Sequence, residues 1–186
     1  MALTSPISTN EPQAYATNAD FRRVFVETMD SVHLLAFLLT ADHRKAEGCF
    51  VSGLEDCSKG SYVFRDWARS WARRTIVRNA VRMLRPHRNG SMAASFPDDP
   101  FDYTLGRTPE ARAAILSILG LEDFERFVFV MSVLEIYSDQ DCSILLGCSR
   151  QDVGVARVRA LLIIANSQRM QTLAGSGSAP TIVTSA

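Results

Sequence analysis

Apolar residues recur at spacings of three and four along most of this chain, which is the spacing that lines one face of an α-helix. The pattern is interrupted at clusters of Gly, Pro, Ser, Asn and Asp, which favour turns and loops. The sequence therefore predicts an all-α fold. The predicted helices cover about 20–40 with Asp20 as the N-cap, 44–54, 63–84, 109–120 with Thr108 as the N-cap, 122–137, and two short helices on either side of Gly147.

Three segments have the composition of loops or disordered chain. Residues 1–18 are rich in Ser, Thr, Asn and Pro, and residues 169–186 contain a low-complexity run of Gly, Ser and Ala; we predict that both ends are disordered. Residues 87–107 are crowded with Gly, Pro, Asn and Asp and are too numerous for a routine connection within one domain. We therefore predict two small helical domains, 19–86 and 108–168, joined by a flexible linker.

The most specific local pattern lies in the C-terminal block. Ser138 with Asp141, and then Ser149 with Asp152, repeat the Ser-x-x-acid arrangement that begins a helix. Gly147 lies between them, where a left-handed residue would end the first helix and turn the chain. Two short capped helices joined by a glycine are typical of a helix-turn-helix within a helical bundle. The alternative is a plain helical hairpin without a DNA-binding role.

The second helix of this pair carries side chains suited to base recognition. Arg150 and Gln151 are at its N-terminal end, and Arg157 follows further along. An arginine can bind guanine through two hydrogen bonds, and a glutamine can bind adenine in the same way. We therefore predict that Arg150, Gln151 and Arg157 contact DNA.

A second basic feature lies in the N-terminal block. Positions 65–88 contain eight arginines and a single acid. On a helix, Arg74, Arg78 and Arg82 fall opposite the apolar face, where like charges four residues apart repel one another. This arrangement predicts a surface for nucleic acid, with an ordinary solvated basic face as the alternative. Because Lys+Arg and Asp+Glu number 20 each in the chain as a whole, any attraction for DNA must be local.

The sequence gives little support to other functional classes. Four cysteines are spaced too irregularly for a zinc module, and we expect reduced thiols. We find no glycine-rich phosphate loop, metal cluster or paired carboxylates, and predict neither an enzyme nor a cofactor or metal. No stretch approaches the ~20 apolar residues of a membrane span, and the start of the chain lacks the features of a signal peptide, so we expect a cytoplasmic protein without a membrane partner. Trp67 and Trp71 are expected in the core or at a domain edge.

The two blocks together resemble the extracytoplasmic-function (ECF) class of bacterial RNA polymerase sigma factors. The resemblance extends from about Phe21 to Asn166 and includes the position and length of the linker. The most specific matches are Ile76-Val77-Arg78-Asn79, which follows Trp71, and the Leu145-Leu146-Gly147 turn. The stretches that carry the resemblance are 34–47, 64–84 and 114–160.

The resemblance implies a sigma-factor-like role in transcription initiation, with promoter DNA, core RNA polymerase and an anti-sigma factor as partners. The first domain would bind the polymerase clamp through Glu47 and the melted promoter through Arg78 and Asn79. The second would read the distal promoter element through Arg150, Gln151 and Arg157. Gly48, Val51 and Ser52 depart from the acidic and Gln-containing pattern of the family's clamp-binding surface. The alternative is therefore a stand-alone helix-turn-helix regulator or interaction module that does not bind polymerase.

Overall fold

The computed structural model describes residues 14–59, 62–86 and 108–175, with side chains up to residue 170. Within these ranges the regular structure is helical, and extended pairing is limited to one isolated bridge between Tyr15 and Phe64. The predicted all-α fold is confirmed.

Four α-helices and one 3-10 turn form the N-terminal group. Helices α2, α3 and α4 pack on one another, and α1 packs against α3 and α4. Their apolar faces meet in a core in which Phe21, Phe25, Phe37, Leu39 and Ile76 are almost completely buried. The bounds are α1 Asn18–Glu27, α2 Met29–Thr40, α3 His43–Ser58, the 3-10 turn Arg65–Trp67 and α4 Ala68–Leu84.

The start of α1 differs from the prediction. Thr17 is the N-cap, because its hydroxyl accepts a hydrogen bond from Asp20 N at 3.2 Å while Asp20 Oδ2 accepts one from Thr17 N at 2.9 Å. Asp20 is therefore the acidic partner of a capping box and not the cap itself. The bond from Thr17 N to the carboxylate, and after it the bond from the Thr17 hydroxyl to Asp20 Oδ2 at 2.8 Å, lower the pKa of Asp20. The prediction of one helix over 20–40 is also wrong, since α1 ends before Thr28 and Met29 is exposed.

Part of the predicted disordered N-terminus belongs to the fold. Ala16 N donates to Val63 O at 2.7 Å, and Arg65 N donates to Ala14 O at 2.9 Å. These bonds join the chain before α1 to the segment before α4, so the prediction of disorder is wrong at residues 14–18. Residues 1–13 lie outside the described ranges.

The C-terminal group contains four further α-helices and one π-helical turn. Thr108 caps the first of these helices as predicted, accepting a hydrogen bond from Ala111 N at 3.2 Å. The predicted single helix over 122–137 is shorter and changes to π geometry after Phe129, although its residues are central to the bundle as expected. The bounds are α5 Pro109–Leu119, α6 Asp123–Phe129, the π turn Val130–Leu134, α7 Asp139–Leu146 and α8 Arg150–Gly175.

The last helix is longer than predicted. Disorder was expected from residue 169, but α8 continues to Gly175, so that prediction is wrong at 169–175. Between residues 161 and 170 most of the apolar side chains of this helix are exposed, for example Leu162 and Met170. Residues 176–186 lie outside the described ranges.

The two groups of helices contact each other through a buried arginine. Arg126 is 1% exposed, and its guanidinium donates to Leu39 O at 3.4 Å, to Leu121 O at 3.1 Å and to Asp123 Oδ1 at 2.5 Å. These bonds compensate for the removal of the charge from water. The two-domain division remains a prediction, because the proposed linker, 87–107, lies outside the described residues.

Candidate nucleic-acid interface

Helices α7 and α8 form the predicted capped pair. Ser138 Oγ accepts a hydrogen bond from Asp141 N at 3.0 Å, and Ser149 Oγ accepts one from Asp152 N at 3.1 Å. Gly147 has a φ of 66°, in the left-handed region, and ends α7. The predicted caps and turn are confirmed, and they follow from residues no more than three positions apart.

Apolar side chains hold this pair of helices against the rest of the C-terminal group. Cys142 and Leu146 of α7 are buried, as are Val153, Ala156 and Ala160 of α8. Small residues on the inner face of α8 allow it to lie close to its neighbours. The outer face of the N-terminal turn of α8 is consequently presented to solvent, and Arg150 and Gln151 are both exposed there.

Arg157 is used differently from the other two predicted base-reading residues. Its guanidinium donates to both carboxylate oxygens of Asp139, at 2.5 Å and 3.2 Å. Asp139 is the first residue of α7, so this ion pair joins the two helices of the motif. The hydrogen bond from Arg157 lowers the pKa of Asp139. In this structure Arg157 joins α7 to α8 within the motif and is not directed to solvent for base contact.

A buried acid behind α8 escaped the sequence analysis. Glu125 of α6 lies at the contact with α8, where its Oε1 is 3.8 Å from Arg159 Nη1. Its Oε2 is buried and has no hydrogen-bond partner within the part of the chain that the structure describes. The local sequence contains no signal for this burial, because the charged residues Glu122, Asp123 and Arg126 lie beside Glu125 along the chain.

The arginines of α4 are only partly available to a ligand. Arg74 Nη2 donates to Asp141 Oδ1 of α7 at 2.9 Å, and its guanidinium lies 5.3 Å from the ring centroid of Tyr137. Arg78 is exposed and stacks at 6.0 Å from the ring of Trp71. Cations near aromatic faces are attracted to the ring without losing their capacity to bind anions at the outer edge.

Arg82 and Asn79 share one carboxylate. Arg82 Nη2 donates to Asp56 Oδ2 at 3.0 Å, but the Arg82 side chain remains 64% exposed. Asn79 is 7% exposed, and its amide donates to Asp56 at 3.2 Å and to Thr75 O at 3.0 Å. Partial burial acts to raise the pKa of Asp56, and the bonds from Asn79 and Arg82 outweigh it and lower that pKa. Asn79 is therefore a packing residue here and is not on the exposed face where the resemblance assigned it to DNA.

The residue assigned to polymerase binding lies on α3. Glu47 is exposed, and so is Val51 one turn further along. Gly48 and Ser52 are half-buried beside them. This part of α3 accordingly presents a carboxylate next to an apolar side chain, a smaller charge than the acidic pattern expected from the resemblance.

An exposed cluster of aromatic rings lies where the chain before α1 meets the segment before α4, and we refer to Tyr15, Tyr62, Phe64 and Trp67 as the aromatic surface. The rings of Tyr15 and Phe64 stack with centroids 5.0 Å apart, and Trp67 meets Phe64 edge-on at 5.8 Å. Tyr62 is 93% and Trp67 65% exposed. Trp67 is therefore not in the core, and of the two expected places, the core and a domain edge, the core is wrong. The density of aromatic residues between 62 and 71 was the signal for this surface.

An open cavity of about 1170 Å³ lies beside the aromatic surface. One wall comes from the aromatic surface and α4, including Trp71, which is half-buried as expected for a residue at a domain edge. The other wall comes from the C-terminal group, through the segment from Leu134 to Tyr137 and through Asp141. Burial raises the pKa of the Tyr137 hydroxyl to about 12, so this wall has a neutral phenol at physiological pH.

The described residues contain no group of His, Cys, Asp or Glu arranged to hold a metal ion. The four cysteines are free, and burial raises the pKa of Cys49 and of Cys142 to about 11, so that both are protonated at neutral pH. Within the same part of the chain, every helix falls short of the length or the apolar character required to cross a bilayer.

The candidate interface therefore consists of two exposed regions. The first is the N-terminal turn of α8 with Arg150 and Gln151, and the second is the aromatic surface together with Arg78 and Arg82 of α4. Comparison of the chain with protein-family models and with curated proteins found no match in either case.

Proposed function

We propose that this protein binds DNA through α7 and α8 and acts in transcription initiation in the manner of a sigma factor. The observation that carries the proposal is the exposure of Arg150 and Gln151 in the first turn of α8, the second of the two capped helices that the Gly147 turn joins. In a helix-turn-helix the second helix enters the major groove with its N-terminal residues against the base edges. Arginine and glutamine are the side chains that read guanine and adenine there.

The second exposed region supports the promoter-melting part of the proposal. Surfaces that bind unpaired nucleic acid combine aromatic rings, on which bases stack, with cations that follow the phosphates. Trp67 and Tyr62 provide exposed rings, and Arg78 and Arg82 provide guanidinium groups on the adjoining helix. In the proposed function, bases that leave the duplex stack on the aromatic surface while the arginines bind the backbone.

Binding to core RNA polymerase without DNA tests the sigma-type role. The purified full-length chain should co-elute with core polymerase, and Glu47→Ala should weaken that association. Glu55→Ala is the matched control, because it removes another exposed carboxylate from the same helix, one that lies 3.7 Å from Lys59. A chain that binds specific DNA but never co-elutes with polymerase would instead be a stand-alone regulator.

The salt dependence of DNA binding tests the role of α4. Replacing Arg78 and Arg82 together by alanine should weaken binding to every sequence and reduce the slope of log K against log salt by about one to two units. The control is replacement of Arg22 and Arg44, exposed arginines of α1 and α3, which should leave the slope close to that of the unaltered chain. An unchanged slope in the first variant would remove α4 from the DNA-binding surface.

A stand-alone DNA-binding regulator is the second candidate function, and one observation favours it. Arg73 and Arg74 of α4 bind carboxylates of the C-terminal group, Glu135 and Asp141. These contacts leave fewer guanidinium groups for a second DNA-binding region, whereas a regulator that uses α8 alone does not need one.

A further inference from the structure

The contact between α4 and the C-terminal group is made by two arginine–carboxylate pairs. Arg73 Nε donates to Glu135 Oε2 at 2.8 Å, and Arg73 Nη2 donates to Glu135 Oε1. The Glu135 side chain is only 9% exposed. This two-bond arrangement is the strongest common geometry between a guanidinium and an oxyanion, and the bonds to Glu135 raise the pKa of Arg73.

The neighbouring pair reinforces the first. Arg74 donates to Asp141 at 2.9 Å and lies against the ring of Tyr137. Arg73 and Arg74 are adjacent on α4, so Glu135, Tyr137 and Asp141 cover one continuous part of that helix. We call these two ion pairs and the Tyr137 contact the acidic clamp.

The backbone that carries the acidic clamp is in an unfavourable conformation. Ile136, between Glu135 and Tyr137, has a φ of 57°, a left-handed conformation that β-branched residues avoid. Its apolar side chain is also 85% exposed. The π turn over 130–134 ends two residues before it, and such turns are rare and occur mostly as single turns within α-helices. Strain of this kind persists only where surrounding contacts hold it. Here these contacts are the hydrogen bonds from Glu135 N to Val130 O and from Tyr137 N to Met131 O, both 2.9 Å, together with the ion pairs to α4.

Carboxylates and phosphates compete for the same arginine geometry. A guanidinium binds either oxyanion through the same pair of N–H groups. Glu135 and Asp141 therefore occupy the positions on α4 that backbone phosphates of a nucleic acid would take, and the C-terminal group also forms a wall of the cavity beside the aromatic surface.

We infer that the acidic clamp is an autoinhibitory contact, in which Glu135 and Asp141 act as internal competitors for nucleic acid at α4. The inference rests on the proposed function of α4 and adds its regulation. A nucleic acid gains Arg73, Arg74 and full access to the cavity only when the C-terminal group separates from α4. That separation breaks the two ion pairs and the hydrogen bonds from Arg126 to Leu39 O.

The test measures binding of the full-length chain to a forked DNA of mixed sequence with one unpaired arm. Glu135→Gln keeps the shape of the side chain and removes the charge that holds Arg73. Because apparent affinity falls in proportion to the binding-competent fraction, its Kd should be about 5-fold to 10-fold lower than that of the unaltered chain. Tryptophan emission should shift in parallel without DNA, since Trp67 and Trp71 line the cavity that opens.

Two further variants separate the clamp from a general effect of charge. Asp56→Asn also frees an α4 arginine, Arg82, but within the N-terminal group, and should lower the Kd by less than 2-fold to 3-fold. Glu135→Asp keeps the charge and shortens the side chain, so it should also lower the Kd by weakening the two-bond geometry. It keeps the test available if Glu135→Gln does not fold.

The outcomes distinguish this inference from the proposed function. If Asp56→Asn and Glu135→Gln raise the affinity for DNA equally, the effect depends only on net charge, and the inference is overturned. Unchanged affinity in both Glu135 variants, with the unaltered chain binding DNA, would overturn the inference alone. Absence of DNA binding by every variant at low salt would overturn the proposed function, and the inference with it.

Discussion

Helices α4 and α8 both carry arginines that the sequence marks as DNA-binding, yet they use them differently. On α4, Arg74 is bound to Asp141 from another element, and Arg82 is bound to Asp56 but stays largely exposed, as does Arg78. On α8, Arg150 is exposed at the first turn, whereas Arg157 is held by Asp139. The sequence of a helix therefore shows only how many cations the helix carries. Their availability depends on the carboxylates that neighbouring elements bring to them.

The largest effect is expected at the arginine that is entirely committed to the fold. Arg126→Ala should lower the free energy of unfolding by about 3–5 kcal/mol, because Leu39 O, Leu121 O and Asp123 lose their buried donor. Denaturant unfolding followed by circular dichroism measures the change. Arg150→Ala removes an exposed arginine, and its free energy of unfolding should stay within about 0.5 kcal/mol of that of the unaltered chain. Similar losses in both variants would show that pairing does not distinguish the two arginine classes.

The next effect concerns sequence preference. Arg150→Ala should cost about 1–3 kcal/mol of discrimination at one base pair and leave other positions of the site unchanged. Arg157→Ala should instead weaken binding to all sequences, because it loosens α7 from α8. Selection from a randomised duplex library reads both outcomes. A uniform loss in the Arg150 variant would contradict base reading by that side chain.

Two glycines of the helix-turn-helix are expected to respond in opposite directions. Gly147 is left-handed, so Gly147→Ala should destabilise the chain by about 1 kcal/mol through backbone strain, although open space surrounds an added Cβ. Gly154 lies inside α8 and also has open space, so Gly154→Ala should stabilise it by about 0.8–1 kcal/mol. Thermal unfolding midpoints should move down and up respectively. A loss at both sites would mean that α8 needs flexibility at Gly154.

The smallest effect is a pH dependence of stability that comes from the ion pair between Asp139 of α7 and Arg157 of α8. The pKa of Asp139 is lowered in the folded chain from an ordinary value of 3.8. Its stabilisation is therefore complete above that value and is lost as the pH falls through the lower, folded pKa. Asp139→Asn should cost less than about 1 kcal/mol at neutral pH, because the pair is partly exposed. Its thermal midpoint should fall less steeply than that of the unaltered chain between about pH 5 and pH 3; parallel curves would argue against the pair.

Much of the fold was predictable because its signals are local. Thr108, Ser138 and Ser149 each begin a helix through a hydrogen bond to a residue three positions further along. Gly147 ends the helix before it. The errors arose where packing replaced the local pattern. The apolar periodicity continues across Thr28 and past Phe129. The helix nevertheless ends before Thr28, and it changes to π geometry after Phe129. Periodicity alone contains no signal for such a change.

The candidate site was predictable only in part. Arg150 and Gln151 are exposed as expected, since they follow a turn whose geometry is local. Asn79 was assigned to DNA by resemblance, but it is buried, and Asp56 and Thr75 accept its amide hydrogens. Trp67 was expected in the core or at a domain edge, and the sequence could not decide between the two, because a tryptophan is suited both to a core and to a partly exposed surface.

The sequence by itself determined the helices, their caps and the turn at Gly147, because each of these depends on backbone groups and side chains a few positions apart. Only the tertiary structure decided which arginines remain free. Glu135 lies 62 positions from Arg73, and Asp141 lies 67 positions from Arg74. Coulombic attraction acts between residues that the fold brings together, and the linear order of charges does not contain that information.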